Sequence, residues 1–172
     1  MVQIEYKLTE KEVYQGLVQN NSTRLITRIL RGLGIFLLVV MVFTTTINIV
    51  NGINYFSMSY LFPMLMAVYL TFLSEITAKI QVPNLIKTKN PYVQLVRVRM
   101  DGNGFRMKGE SFSNFMEWEK FHSIVETADF FLVKPTEAAA NIMPKRAFTT
   151  EDIAEFKNLM EGVSGPTIKW KQ

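Results

Sequence analysis

The chain of 172 residues has no cysteine and a single histidine, His122. Without cysteine there are no disulfides, thiol nucleophiles or thiolate zinc sites. A lone histidine leaves a histidine metal site or a Ser-His-Asp arrangement without partners, so His122 reads as a surface or strand-edge residue. Phosphate-loop and dinucleotide glycine fingerprints are missing as well. With no acid and base groups paired at catalytic spacing, the sequence assigns no catalytic residue and no cofactor. A further absence is regional: from Gly32 to Ser74 there is no Asp, Glu, Lys, Arg or His.

That uncharged stretch is long enough for two spans of about 20 residues, the length that crosses a hydrocarbon core of roughly 30 Å. The expected hairpin has helices over 33–50 and 55–73, joined by a polar turn containing Asn48, Asn51, Gly52 and Asn54. Pro63 is expected to kink the second helix. The competing reading, a buried hairpin in a soluble protein, calls for a polar stripe where a helix meets water, and neither span has one. Charges resume abruptly outside the stretch. Net charge is +2 up to Arg31, +4 over 75–110 and −2 beyond. Lys and Arg gathered next to apolar spans mark the cytoplasmic side, which puts both termini there. The first thirty residues lack an apolar core ahead of the first span, so no cleavable signal peptide is expected.

In chain order, residues 1–31 open with alternating Val2, Ile4, Tyr6 and Leu8, the period of a half-buried strand. Thr9 and Glu12 then match a capping box, and a helix with a break near Asn20–Thr23 leads to the first span. Residues 75–91 read as a basic juxtamembrane connector containing Pro83 and Pro91. Beyond it lie short strands: Val93–Met100, the Asp101-Gly102-Asn103-Gly104 turn, Phe105–Met107, 114–118, 121–127, 129–134 and 139–143. The turn is not a calcium loop, because its twelfth position is Phe112 rather than Glu. Trp118, Phe115, Phe130 and Phe131 read as core. A helix capped by Thr149 or Thr150 carries Ile153, Phe156, Leu159 and Met160 on one stripe and ends at Gly162. Residues 164–172 are expected to be a flexible tail.

The expected fold class is therefore an α+β membrane protein. A two-helix transmembrane hairpin is joined to a small antiparallel β-barrel or sheet of about seven strands over 92–163. The N-terminal strand joins the sheet, and the amphipathic C-terminal helix closes it in the plan of a pleckstrin-homology (PH)-like domain. The strand Ile4, Tyr6, Leu8, Thr9, the turn Asp101, Gly102, Gly104, Phe105, the Trp118 position and the run Pro144-Lys145-Arg146-Ala147-Phe148 carry a family likeness. In that order, around a two-helix hairpin, they resemble the YcxB-like family of bacterial membrane proteins. The resemblance implies a multi-pass protein of the bacterial plasma membrane with a PH-like domain and no catalytic residues.

Candidate contacts for lipid or a partner are Lys87, Lys89, Arg97, Arg99, Lys145 and Arg146. Arg supplies a two-pronged donor for phosphate or carboxylate. Lys79, Arg106 and Lys108 would extend a basic surface. The plainer reading pairs Lys145 and Arg146 with Glu151 or Asp152 and leaves Arg97 and Arg99 on a solvated strand face. The expected partners are the bilayer and anionic headgroups or a membrane or cytoplasmic protein, with a homo-oligomer compatible and nucleic acid excluded by the acidic distal part. Two functions fit: a membrane-anchored binding or regulatory module on the cytoplasmic face, and a small accessory subunit of a membrane enzyme or transporter complex.

Overall fold

A computed structural model describes residues 1–53, 60–88 and 93–171. Among them are five α-helices and eight strands, in the order β1 (Val2–Tyr6), α1 (Glu10–Thr23), α2 (Leu25–Val50), α3 (Leu61–Thr71), α4 (Leu73–Lys87), β2 (Val96–Asp101), β3 (Gly104–Lys108), β4 (Ser113–Met116), β5 (Ser123–Glu126), β6 (Phe130–Lys134), β7 (Asn141–Pro144), α5 (Thr150–Glu161) and β8 (Thr167–Lys169). The fold is α+β, with two four-stranded sheets.

The first sheet has the order β1-β2-β3-β4 and is antiparallel throughout. Alternation explains β1: Val2, Ile4 and Tyr6 are buried while Gln3 and Glu5 face out. The strand joins the far side of the helical region, pairing Val2 with Met100 and Tyr6 with Val96. The second sheet has the order β7-β6-β5-β8, with β8 parallel to β5 and the other pairs antiparallel. An expected closed barrel is not formed. The chain changes sheets at a 3₁₀ turn, Trp118–Lys120, which replaces the end of the strand expected over 114–118. Trp118 donates its indole N–H to the Asp101 carbonyl at 2.7 Å and packs on Phe105 and Phe121, so its ring anchors the turn in the core. Phe115 departs from its expected core position: it is 46% exposed, under the Arg106 guanidinium.

Two further expectations are corrected. The tail is not free, because Thr167–Lys169 pairs with β5 and Trp170 packs edge-on against Phe131 and Phe156. The connector is largely helical: α4 runs through Pro83 and packs Ala78 and Val82 into the core beside α1. On its other side α1 meets the second sheet, where Gly16 lies so close to Ile142 that a Cβ would stand 2.5 Å from its side chain.

The Thr9 capping box forms as the sequence requires, with both reciprocal bonds to Glu12. The helix breaks at Arg24, whose backbone is extended, rather than inside Asn20–Thr23. Beyond it α2 is the one described helix long and apolar enough to cross a membrane by itself, at about 39 Å for its 26 residues. Its apolar side chains face outward: Phe36, Val39, Val42, Phe43 and Ile49 are all more than 60% exposed. The expected second span is not a single straight helix. Residues 55–59 of it, and Asn54 of the expected turn, lie outside the described residues, and α3 and α4 meet at a 72° bend across Phe72. The bend is not at Pro63, which sits in the first turn of α3, where its missing N–H removes no helical bond. At the bend, the Thr71 carbonyl, which an unbroken helix would give to Glu75, instead accepts a bond from Arg31 Nε at 3.0 Å. The same guanidinium pairs with Glu75. The two charges that bracket the uncharged stretch thus meet, and α2 and α3 lie side by side, with Gly34 against Thr71 and Ala67.

Candidate functional site

The run Pro144–Phe148 leaves β7, makes a 3₁₀ turn over Lys145–Ala147 and buries Phe148 against Phe131 and Phe156 before Thr149 caps α5. Anchoring on both sides fixes where Lys145 and Arg146 point. The Lys145 N–H donates to the Asp129 carbonyl at 2.8 Å, and its ammonium reaches Glu126 Oε1 at 2.7 Å above the Phe131 ring. Arg146 turns the other way, toward α1. Its Nε and one terminal nitrogen grip both oxygens of Glu12, the latter at 2.8 Å, and a further bond at 2.9 Å goes to the Lys7 carbonyl.

The electrostatics follow from these forks. Glu12 is the residue whose other bonds close the Thr9 capping box, and the two-pronged bond from Arg146 holds its carboxyl well below the ordinary 4.5, at about 2, against the opposing effect of burial. Arg146 is raised in turn by Glu12. Burial pushes Glu126 upward, but its bonds to Lys145 and Lys157 outweigh that and leave it lowered. Its side chain is 7% exposed, and its second oxygen also accepts the Lys171 N–H at 3.3 Å. One buried carboxylate thereby ties β5, the Lys145 turn, α5 and the C-terminal segment together.

Between the start of α1 and the β6–β7 edge these residues line an open groove of about 440 Å³, with Lys11, Glu12, Gln15, Asp129, Lys145 and Arg146 on its walls. Both signs of charge are present, and the two strongest cations are already matched to carboxylates. A carboxylate or phosphate entering the groove meets Lys11, which makes no ion pair among the described residues, and reaches Arg146 only in competition with Glu12.

Residues 101–160 match the family model described as YcxB-like protein. This segment is similar to YcxB-like proteins. It starts at the Asp101–Phe105 turn, takes in Trp118 and the whole Pro144–Phe148 run, and ends within α5. No curated protein and no solved structure matches the chain.

The matched segment thus contains Arg146, and Lys145 with its partner Glu126, while Glu12, which holds Arg146, lies outside it on α1. The remaining candidate cations are not drawn to this groove by any described contact. Arg97 pairs with Glu5 across the β1–β2 ladder at 3.1 Å, and Arg99 with Asp101 at 3.6 Å. Lys87 is exposed in the last turn of α4, and Lys89 lies outside the described residues. Neither partner expected for the Lys145-Arg146 run, Glu151 or Asp152, pairs with it among the described residues, and Asp152 closes the Thr149 capping box. Sequence reading missed Glu126 and the second role of Glu12. The only signal for either was an acidic residue ending a short strand and a capping glutamate with an oxygen to spare.

Proposed function

We propose that this chain is a membrane-anchored binding module of the bacterial plasma membrane. In this reading the hairpin of residues 32–74 lies in the bilayer and 75–91 runs along its surface. Both termini and the domain over 92–163 face the cytoplasm, where that domain meets anionic lipid or a protein partner. The observation that carries it is the bare apolar surface of α2, a 26-residue helix whose buried residues are Thr27 and Gly34 alone. Exposed apolar area on that scale needs a lipid or protein cover. The Arg31–Glu75 contact supports the hairpin, because it sets the two ends of the uncharged stretch side by side. A PH-like plan is supported by chain order: four strands in one sheet, three consecutive antiparallel strands in the other, then an amphipathic capping helix.

Cysteine labelling tests the topology in a chain that has no cysteine of its own. Asn51→Cys, at the end of α2, is expected to react with a membrane-impermeant maleimide in intact cells, and Ser111→Cys only after lysis. Labelling of Ser111→Cys in intact cells would reverse the orientation. Recovery of the protein in the soluble fraction, with neither position labelled, would make the hairpin a buried core.

A further inference from the structure

The cations singled out by spacing are mostly neutralised inside the fold. A different set is not. Lys134, the last residue of β6, is 2% exposed, and its ammonium donates to the Thr23 hydroxyl at 2.8 Å. That hydroxyl in turn donates to the Asn20 carbonyl, at the end of α1. Arg24 follows directly; a terminal nitrogen bonds to the Ala138 carbonyl, and its Nε is buried with no hydrogen-bond partner. Arg28, one turn further, bonds through Nε to the Ser22 carbonyl at 3.2 Å. The sheet adds a fourth cation: Lys134 pairs across with Ser123 and Ser123 with Thr167, so Lys169, two residues along β8, shares their face.

None of these four residues makes an ion pair among the described residues. The acidic neighbour is Glu137, which accepts the Leu25 N–H at 3.1 Å. Burial, helped by the charges of Arg24, Lys169 and Arg28 and opposed by that of Glu137, lowers the Lys134 ammonium to about 8. A buried ammonium facing three cations and a single carboxylate is left short of counter-charge. The cluster stands at the foot of α2: Arg28 lies about 6 Å before Gly32, the first residue of the uncharged stretch, within a headgroup layer roughly 5–8 Å thick, and Arg24 lies just outside that layer at about 12 Å. Guanidinium forks and a desolvated ammonium are the groups that hold a phosphate.

We propose that Arg24, Arg28, Lys134 and Lys169 form a binding site for the phosphate of an anionic membrane lipid. The site rests on the reading of α2 as a membrane helix. The Lys145–Arg146 groove opens at the other end of α1, about 20 Å away along a 14-residue helix, and is a separate site.

The test uses the full chain in a neutral detergent, with binding of phosphatidylglycerol and phosphatidylcholine measured by native mass spectrometry and by thermal shift. Phosphatidylglycerol is expected to bind about tenfold more tightly, and the exposed double variant Arg28→Gln/Lys169→Gln to reduce that preference to about twofold or less. Lys134→Met removes the buried charge without opening a cavity; its melting temperature without lipid is expected to hold or rise, while the increment from phosphatidylglycerol disappears. Arg97→Gln, whose residue is already paired with Glu5, is expected to keep the preference. Equal affinity for the two lipids, an unchanged preference in the double variant, or inorganic phosphate bound as tightly as the lipid would overturn the proposal. A chain that stays monodisperse without detergent would instead overturn the membrane reading beneath it.

Discussion

The Glu12–Arg146 fork makes a pH-dependent contribution to stability that can be isolated by Arg146→Gln. In the folded chain the Glu12 carboxyl sits at about 2 against an ordinary 4.5. At about 1.36 kcal/mol per unit the full shift is worth about 3 kcal/mol. Glu12 is 16% exposed but Arg146 is 54% exposed, so water screens part of the pair, and about 1–2 kcal/mol is the expected share. A carboxylate lowered by folding stabilises fully above its unfolded value, and that contribution is lost as pH falls from 4.5 toward 2. Both tryptophans, Trp118 and Trp170, lie outside the uncharged stretch, so urea unfolding followed by tryptophan fluorescence in detergent reports on the β region. At pH 7 the variant is expected to unfold at a urea midpoint lower by roughly 1 M. At pH 2.5, half a unit above the folded value, the gap should shrink to about a quarter of the linked contribution plus the pH-independent remainder from the lost bond to the Lys7 carbonyl. A gap equal at both pH values would refute the assignment of the shift to Arg146.

Two other substitutions test separate parts of the fold. Gly34→Leu would place a side chain where even a Cβ stands 2.7 Å from the Thr71 backbone nitrogen, and should force α2 from α3 at a cost of about 1–3 kcal/mol; a cysteine pair across the two helices that crosslinks as fast as in the parent would contradict this. Glu126→Gln removes the charge held by Lys145 and Lys157 and should destabilise by about 1–3 kcal/mol. Limited proteolysis should then cut the C-terminal segment after Gly165 earlier than in the parent, and an unchanged cleavage rate would remove Glu126 from its anchoring role.

The strand at Val2–Tyr6, the Thr9–Glu12 capping box, a threonine cap on α5, the Asp101–Gly104 turn and the buried Phe156 and Met160 of α5 were legible from the chain, because each depends on residues within a few positions of one another. The site was legible only in name. Lys145 and Arg146 could be picked out, but Glu126 and Glu12 are 19 and 134 residues from them, and no local pattern announces such partners. Lys134 was hidden for the same reason: it ends an apolar strand as an ordinary gatekeeping lysine would, and only the return of α1 and β8 buries it among other cations. Phe115 failed in the opposite direction, since alternation predicts burial but an edge strand covers neither side.

What the sequence alone determined was most of the local elements, the charge-free stretch and its basic flanks, since periodicity, capping and hydropathy are properties of neighbouring residues; β8 and the passage of α4 through Pro83 were not among them. Tertiary structure alone decided that the strands divide into two sheets, that the helix after α3 bends at Phe72, and which cations are neutralised. Each of those outcomes turns on one group choosing between partners far apart in the chain: the Thr71 carbonyl taken by Arg31, the Trp118 indole by Asp101, and Glu12 by Arg146.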